Sequence, residues 1–162
     1  MKTSAGILIY RFNQGKLEIF LVHPGGPFFK NKDNGFWSIP KGENGNEDND
    51  LFQTALRELK EETGIDLFSL SEEKFTKLGF IAYKNYKQVY AWAIEYNLPE
   101  NFEIKSNLFE LEFKKGSGKK YQFPEIDRGG FFPVEIAKQK IHSSQKQLIE
   151  RLEEITTDKT QF

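Results

Sequence analysis

From Arg57 to Ile65 the chain reads Arg-Glu-Leu-Lys-Glu-Glu-Thr-Gly-Ile, which gathers Glu58, Glu61 and Glu62 in a short stretch. Phe52, Ala55, Leu56, Leu59 and Thr63 recur at helical spacing, so residues 50–63 are predicted to form a helix. At ~100° per residue, Glu58, Glu61 and Glu62 fall in one sector beside the apolar stripe. Like charges three and four positions apart on a helix repel by a few tenths of a kcal/mol per pair. A cation within such a cluster accounts for the repulsion, and hard oxygen ligands select Mg²⁺, Mn²⁺ or Ca²⁺ over softer metals. The competing reading is a solvated face neutralised by Arg57 and Lys60.

Upstream lies Trp37-Ser38-Ile39-Pro40-Lys41-Gly42-Glu43. Pro40 fixes an extended entry, and Gly42 allows close backbone approach to a ligand. The carbonyl of Gly42 or of Lys41 can complete a metal shell, and the Lys41 ammonium can meet phosphate as a point charge. Alone, Pro-Lys-Gly reads only as a turn.

Together the two segments resemble the box of the Nudix hydrolase family. That box runs Gly, five residues, Glu, seven residues, Arg-Glu, an apolar residue, any residue, Glu-Glu, any residue, Gly, an apolar residue. Arg57 to Ile65 match its second half, and Gly42 its start. Fourteen residues separate Gly42 from Arg57, where the family has thirteen, and the position eight before Arg57 is Asn49. Glu47 and Asp48 lie close enough to substitute for the missing Glu. Further stretches, among them Ser4-Ala5-Gly6, Val22 to Phe28, Ser106 to Glu112 and Phe123 to Arg128, resemble a bacterial subgroup of predicted NTP pyrophosphohydrolases.

The resemblance implies the Nudix fold, a mixed sheet between helices, as a single domain over residues 1–162. It implies Mg²⁺-dependent cleavage of a pyrophosphate bond in a nucleoside diphosphate joined to another moiety, with a dinucleoside polyphosphate or an NTP as the expected substrate. Glu58, Glu61 and Glu62, with Gly42, are the implied metal ligands, and Mn²⁺ can stand in for Mg²⁺. Arg57 would orient Glu58 through a charge-assisted hydrogen bond. Many members use a further acid distant in sequence, and Glu125 is the candidate because it precedes Phe131-Phe132 by the interval found in diadenosine-polyphosphate hydrolases of the family. Glu61, Arg57 and Glu125 are thus the expected catalytic residues. Lys41, Tyr83 and His23 are expected at the substrate: Lys41 and His23 at phosphate, Tyr83 in stacking on a base, for which Tyr86, Tyr90 and Trp92 are alternatives. The competing function is a Nudix-fold module that binds a nucleotide without cleaving it.

These residues need a scaffold. Ala5 to Phe12 and Leu17 to Val22 are β-type runs around the Asn13-Gln14-Gly15 turn and predict a hairpin. Phe75 to Tyr83 and Gln88 to Tyr96 predict two more strands, and Leu108 to Phe113 a half-exposed one. Lys41 to Asp50 is predicted as a polar loop. Asp48, Asn49 or Asp50 can cap the acidic helix, and Gly64 stops it. Pro133 to Lys140 and Ser143 to Ile155 predict two closing helices. The result is an α/β (α+β) fold.

Composition narrows the rest. With 38% hydrophobic residues and sixteen Phe in 162 positions, one real core is affordable. A net charge of −1 gives no global pull toward long nucleic acid or an anionic membrane. The absence of cysteine removes disulfides, thiolate chemistry and Cys-based zinc sites. With no signal h-region at the start and no apolar run near ~20 residues, a cytoplasmic location is expected. The expected partner is a small nucleotide, and the chain is expected to be a monomer or a homodimer.

Overall fold

The computed structural model describes residues 2–160; Met1, Gln161 and Phe162, at the ends of the expected domain, lie outside the described residues. Alternation of side chains decides the architecture. In β1 (Lys2–Asn13) and β2 (Lys16–Pro24), Leu8, Tyr10, Ile19 and Leu21 face one apolar cluster, while Ala5, Ile7, Ile9, Phe20 and Val22 face another. A strand pair buried on both faces belongs inside a sheet with a layer on each side. The two strands pair antiparallel through the Gln14-Gly15 turn, in which both residues have positive φ.

The sheet is completed by β3 (Lys41–Glu43), β4 (Thr76–Tyr83), β5 (Lys87–Glu95) and β8 (Ile126–Pro133), in the order β4-β5-β1-β2-β8 with β3 on β1. Among the described strands of this sheet, β1 and β5 are the parallel pair and the other pairings are antiparallel. A separate hairpin joins β6 (Leu108–Leu111) to β7 (Tyr121–Pro124). On one face, α1 (Leu51–Thr63) buries Phe52, Ala55, Leu56 and Leu59. On the other, Ala137 of α2 (Val134–Lys140) and Leu148, Ile149 and Leu152 of α3 (Lys146–Thr160) join Ile141 in the opposite cluster. The mixed sheet between helices expected from the sequence is therefore present.

Two expectations are corrected. Lys41 to Glu43, read as loop, form β3, because the register Ser4↔Glu43, Ala5↔Gly42 and Gly6↔Lys41 gives this polar segment backbone partners. Residues 121–132, given no element from the sequence, supply β7 and β8, with Pro133, expected to open a helix, as the last residue of β8. Gly129-Gly130 and the two prolines suppress the strand signal. Pairing with β2 from Glu18↔Pro133 to Pro24↔Ile126 imposes the strand, with Phe131 packed on Phe20 and Phe132 on Trp37. Among the described residues no helix is long and apolar enough to cross a membrane.

Candidate active site

The acidic helix is fixed at both ends. The Asp50 side chain accepts from the Gln53 N–H, and Gly64, at φ 85°, closes the last turn by donating to the Lys60 carbonyl at 2.8 Å. Two further carbonyls of the last turn would be left open, and the chain leading into β6 satisfies them. Lys105 N donates to the Thr63 carbonyl at 3.0 Å and Asn107 N to that of Glu61 at 2.8 Å. The Asn107 carbonyl then accepts from Glu125 N at 2.8 Å, and the Glu125 carbonyl from Gly25 N at 2.8 Å. Backbone bonds alone thus tie Glu125, on the residue between β7 and β8, to the helix that carries the three other glutamates.

β3 closes the opposite side. A Cβ on Gly42 would collide with the carboxyl group of Glu58, so only glycine lets this strand lie against that side chain. One residue earlier, Lys41 N donates to Glu62 Oε1 at 3.1 Å. Gly42, Glu58 and Glu62 are therefore neighbours, as the motif implied.

Arg57 organises the remaining acids. Nε and Nη2 donate to the two oxygens of Asp48 at 2.9 and 3.0 Å, Nη1 donates to Glu58 Oε1 at 2.9 Å and Glu61 Oε2 at 3.0 Å, and Nη2 also reaches the Glu43 carbonyl at 3.0 Å. Five bonds match the five N–H groups of a guanidinium. Asp48 is itself held by Gly45 N and Thr54 Oγ1, each at 2.8 Å. Of the two acids proposed to fill the shifted motif position, Asp48 bonds Arg57, and Glu47 is exposed.

The electrostatics record crowding. Burial, and then the charge of Glu58, push the Glu62 carboxyl up to about 8. Burial likewise raises Glu58, with Glu61 adding to it, and raises Glu125, again with Glu61 adding. The charge of Glu125 is felt at both Glu58 and Glu62. Asp48, by contrast, is drawn down to about 2, chiefly by the Arg57 hydrogen bonds. Carboxylates that resist ionisation beside one another suit a divalent cation. The donors are all hard oxygens, and Mg²⁺ keeps several waters and needs few protein ligands. Among the described residues no three acidic or histidine side chains close on one metal-sized point, since Arg57 Nη1 lies between Glu58 and Glu61. The set fits a hydrated hard cation rather than a closed protein cage.

Beside Gly42 opens a cleft of about 310 Å³ whose lining includes Lys41, Trp37, Tyr83, Lys87 and His142. Lys41 joins this cleft to the cluster through its N–H on Glu62, and Tyr83 lines the cleft. Burial lowers the Lys41 pKa, while Glu62 opposes the shift.

A family model, the NUDIX domain, matches residues 2–152. The chain belongs to the Nudix family. Among solved structures, this Nudix protein is similar to an Ap4A hydrolase from C. elegans in a binary complex, at 23% identity and TM-score 0.67, with 98% of this chain and 99% of that one covered. It is similar to the NUDIX domain of Shewanella oneidensis NrtR complexed with ADP ribose, at 16% identity and TM-score 0.64, with 95% and 87% covered. A NUDIX hydrolase from Nitrosomonas europaea matches at 14% identity and TM-score 0.60, with 94% and 88% covered. At these identities the likeness is one of fold. No curated protein matches the chain.

Within the Nudix fold, His23 is not where the sequence suggested. It is the last residue but one of β2 and fully buried, with Nδ1 2.9 Å from Asp127 Oδ1 and Nε2 2.6 Å from the Lys32 carbonyl, so both ring nitrogens are engaged inside the protein. The Pro24-Gly25-Gly26 that follows it reads as a loop from the sequence, but pairing with Arg128 on β8 draws His23 in. Trp92, an alternative stacking residue, packs in the core against Phe52. Sequence reasoning gave no role to His142 or Gln145. Gln145 is buried and accepts from Ile39 N at 3.0 Å through Oε1, which anchors the segment leading to Lys41.

Proposed function

We propose that the chain is a single-domain, Mg²⁺-dependent hydrolase of a pyrophosphate bond in a nucleoside diphosphate joined to another moiety, acting on a dinucleoside polyphosphate or an NTP. The observation that carries this reading is that Gly42 lies against the Glu58 carboxyl and Lys41 N against Glu62, while backbone bonds through Asn107 tie Glu125 to the same helix. Glu58, Glu61, Glu62 and the Gly42 carbonyl would hold Mg²⁺, or Mn²⁺ in its place. The ion, when bound, neutralises phosphate oxygens and acidifies water.

The chain's own residues do the rest. Arg57, clamped by Asp48, orients Glu58 and Glu61. Lys41 offsets the charge of the polyphosphate, and Tyr83 supplies a ring face for a base. Glu125, whose charge acts on Glu58 and Glu62, takes a proton from the attacking water, a role its raised pKa suits. The Ap4A hydrolase and the ADP-ribose complex among the similar structures support a linked nucleoside diphosphate as the substrate class.

One observation favours a second reading, a nucleotide-binding module without turnover: Arg57 engages Glu58 and Glu61 together. NrtR, a similar structure, is also seen complexed with a 27mer DNA. Phosphate release with product identification over a panel of NTPs, dinucleoside polyphosphates and ADP-ribose separates the two. We expect Mg²⁺-dependent turnover that Glu61→Gln abolishes. No turnover on any member of the panel would establish the module.

A further inference from the structure

His142 contributes a wall of the cleft that holds Lys41 and Tyr83, and neither the family motif nor the acidic cluster gives it a purpose. Its Nδ1 accepts the backbone N–H of Ser144 at 3.1 Å and lies 2.8 Å from Ser144 Oγ. A backbone amide can only donate, so Nδ1 must present its lone pair, and the ring proton belongs on Nε2 at the opposite edge. The main chain is held as firmly, with His142 N donating to the Trp37 carbonyl at 2.8 Å. Tyr83 stands edge-on to the ring, with centroids 5.2 Å apart. Among the described residues, Nε2 has no hydrogen-bond partner of its own.

We propose that His142 is a substrate-positioning residue, offering Nε2–H as a fixed, uncharged donor to a phosphate oxygen of the nucleotide held beside Lys41 and Tyr83. This rests on the reading of the cleft as the nucleotide site. The charge of the polyphosphate is already met by Lys41 and Lys87 in the same cleft. A donor whose direction is set by its other ring nitrogen adds placement, which a flexible ammonium does not. Burial and the positive charges of Lys41 and Lys84 hold the imidazole below its ordinary pKa, in keeping with a neutral donor.

The chain has two histidines, and His23 is sealed in the core, so ring ¹⁵N–¹H spectra carry their own internal control. The ligand-free protein should show His142 protonated at Nε2. Titration with α,β-methylene-ATP should move the His142 ring signals and leave those of His23 in place. Saturation visible at the amides of Lys41 and Tyr83 with no change at the His142 ring would overturn the role of His142 and leave the cleft's assignment standing. No movement at any of these sites would overturn both. Two variants separate positioning from capping. His142→Asn keeps an acceptor near the Ser144 amide and removes the distal donor, so KM should rise about tenfold with a smaller change in kcat. His142→Gln restores a donor near the Nε2 position and loses the cap, so it should recover most of that affinity at a lower Tm. The reverse pattern, with Asn harmless and Gln impaired, would mean that His142 only caps the turn.

Discussion

Asp48 grips Arg57 through two parallel hydrogen bonds, Oδ1 to Nε at 2.9 Å and Oδ2 to Nη2 at 3.0 Å, and so aims the remaining guanidinium edge at Glu58 and Glu61. With 6% of its side-chain surface exposed, Asp48 makes this pair largely out of solvent. Its removal would leave Arg57 Nε and the Gly45 N–H short of an acceptor. Asp48→Ala should cost about 2–3 kcal/mol of stability, a typical loss for charged hydrogen bonds made without water. It should also lower kcat/KM by tenfold or more, as supporting residues of metal sites do when removed. Glu47→Ala, at an exposed position, should change neither. Chemical denaturation and steady-state kinetics on the two variants check this, and equal effects would refute the assignment.

The same carboxylate sets an acid limit. Folding lowers the Asp48 pKa from 3.8 to about 2, so the native state binds fewer protons than the unfolded chain between those values. Its stabilising share is complete above about 4 and is lost as pH falls toward 2. Wild type should therefore lose more Tm than Asp48→Asn between pH 4 and 2, measured by circular dichroism. Parallel loss in both proteins would show that the pair is not coupled to folding.

Gly42 has no room for a side chain, because the Glu58 carboxyl occupies the place of its Cβ. Gly42→Ala should displace Glu58 from the cluster. A shift of ~1 Å in a positioned group can cost about 10²-fold in rate. The fold should barely notice, since a flexible side chain yields rather than the backbone. Loss of turnover with Tm within a few degrees of wild type is the expected result. Unchanged activity would detach Gly42 from the site.

How far the site was legible depended on whether its contacts were local. The 51–63 helix, its Asp50 cap and its Gly64 stop follow from spacing and turn chemistry within one segment, and Glu58, Glu61 and Glu62 came with them. The choice between Glu47 and Asp48 did not follow, because the loop before the helix carries an extra residue and only the bond to Arg57 decides it. Residues 126–133 escaped because a Gly-Gly strand that ends at a proline has no alternation to read, and its partner is β2, far back in the chain. His23 misled for the same reason: its neighbours look like a surface loop, while Asp127 and Arg128 on a distant strand bury it. His142 gave no signal at all, since its value lies in Ser144 behind it and the cleft in front.

Glu62 makes the opposite pH prediction. Folding raises its carboxyl from 4.5 to about 8, so the native state binds more protons than the unfolded chain between those values. Stability must then fall as pH rises across that window. In chelator, Tm should decline from pH 5 to 8, and Glu62→Gln should flatten the decline. Mg²⁺ should raise Tm more at pH 8 than at pH 5, because metal binding requires the ionised ligands. A Mg²⁺ effect of equal size in the Glu62→Gln protein would remove Glu62 from the ligand set.

Glu125 differs in that its effect should appear in rate rather than in stability. It reaches the cluster through backbone bonds from Asn107 and Gly25, so replacing its side chain leaves the scaffold intact. Burial, with Glu61 adding to it, raises its pKa above the usual carboxylate value. A base must be ionised to accept a proton, so kcat should rise with pH along an acid limb placed above about 4.5. Glu125→Gln should lower kcat by about 10²–10⁴-fold, as losing a general base does, and erase that limb while changing KM little. If the limb persists in Glu125→Gln with kcat reduced less than tenfold, the proton goes to another acid of the cluster, and Glu125 serves only to shape its field.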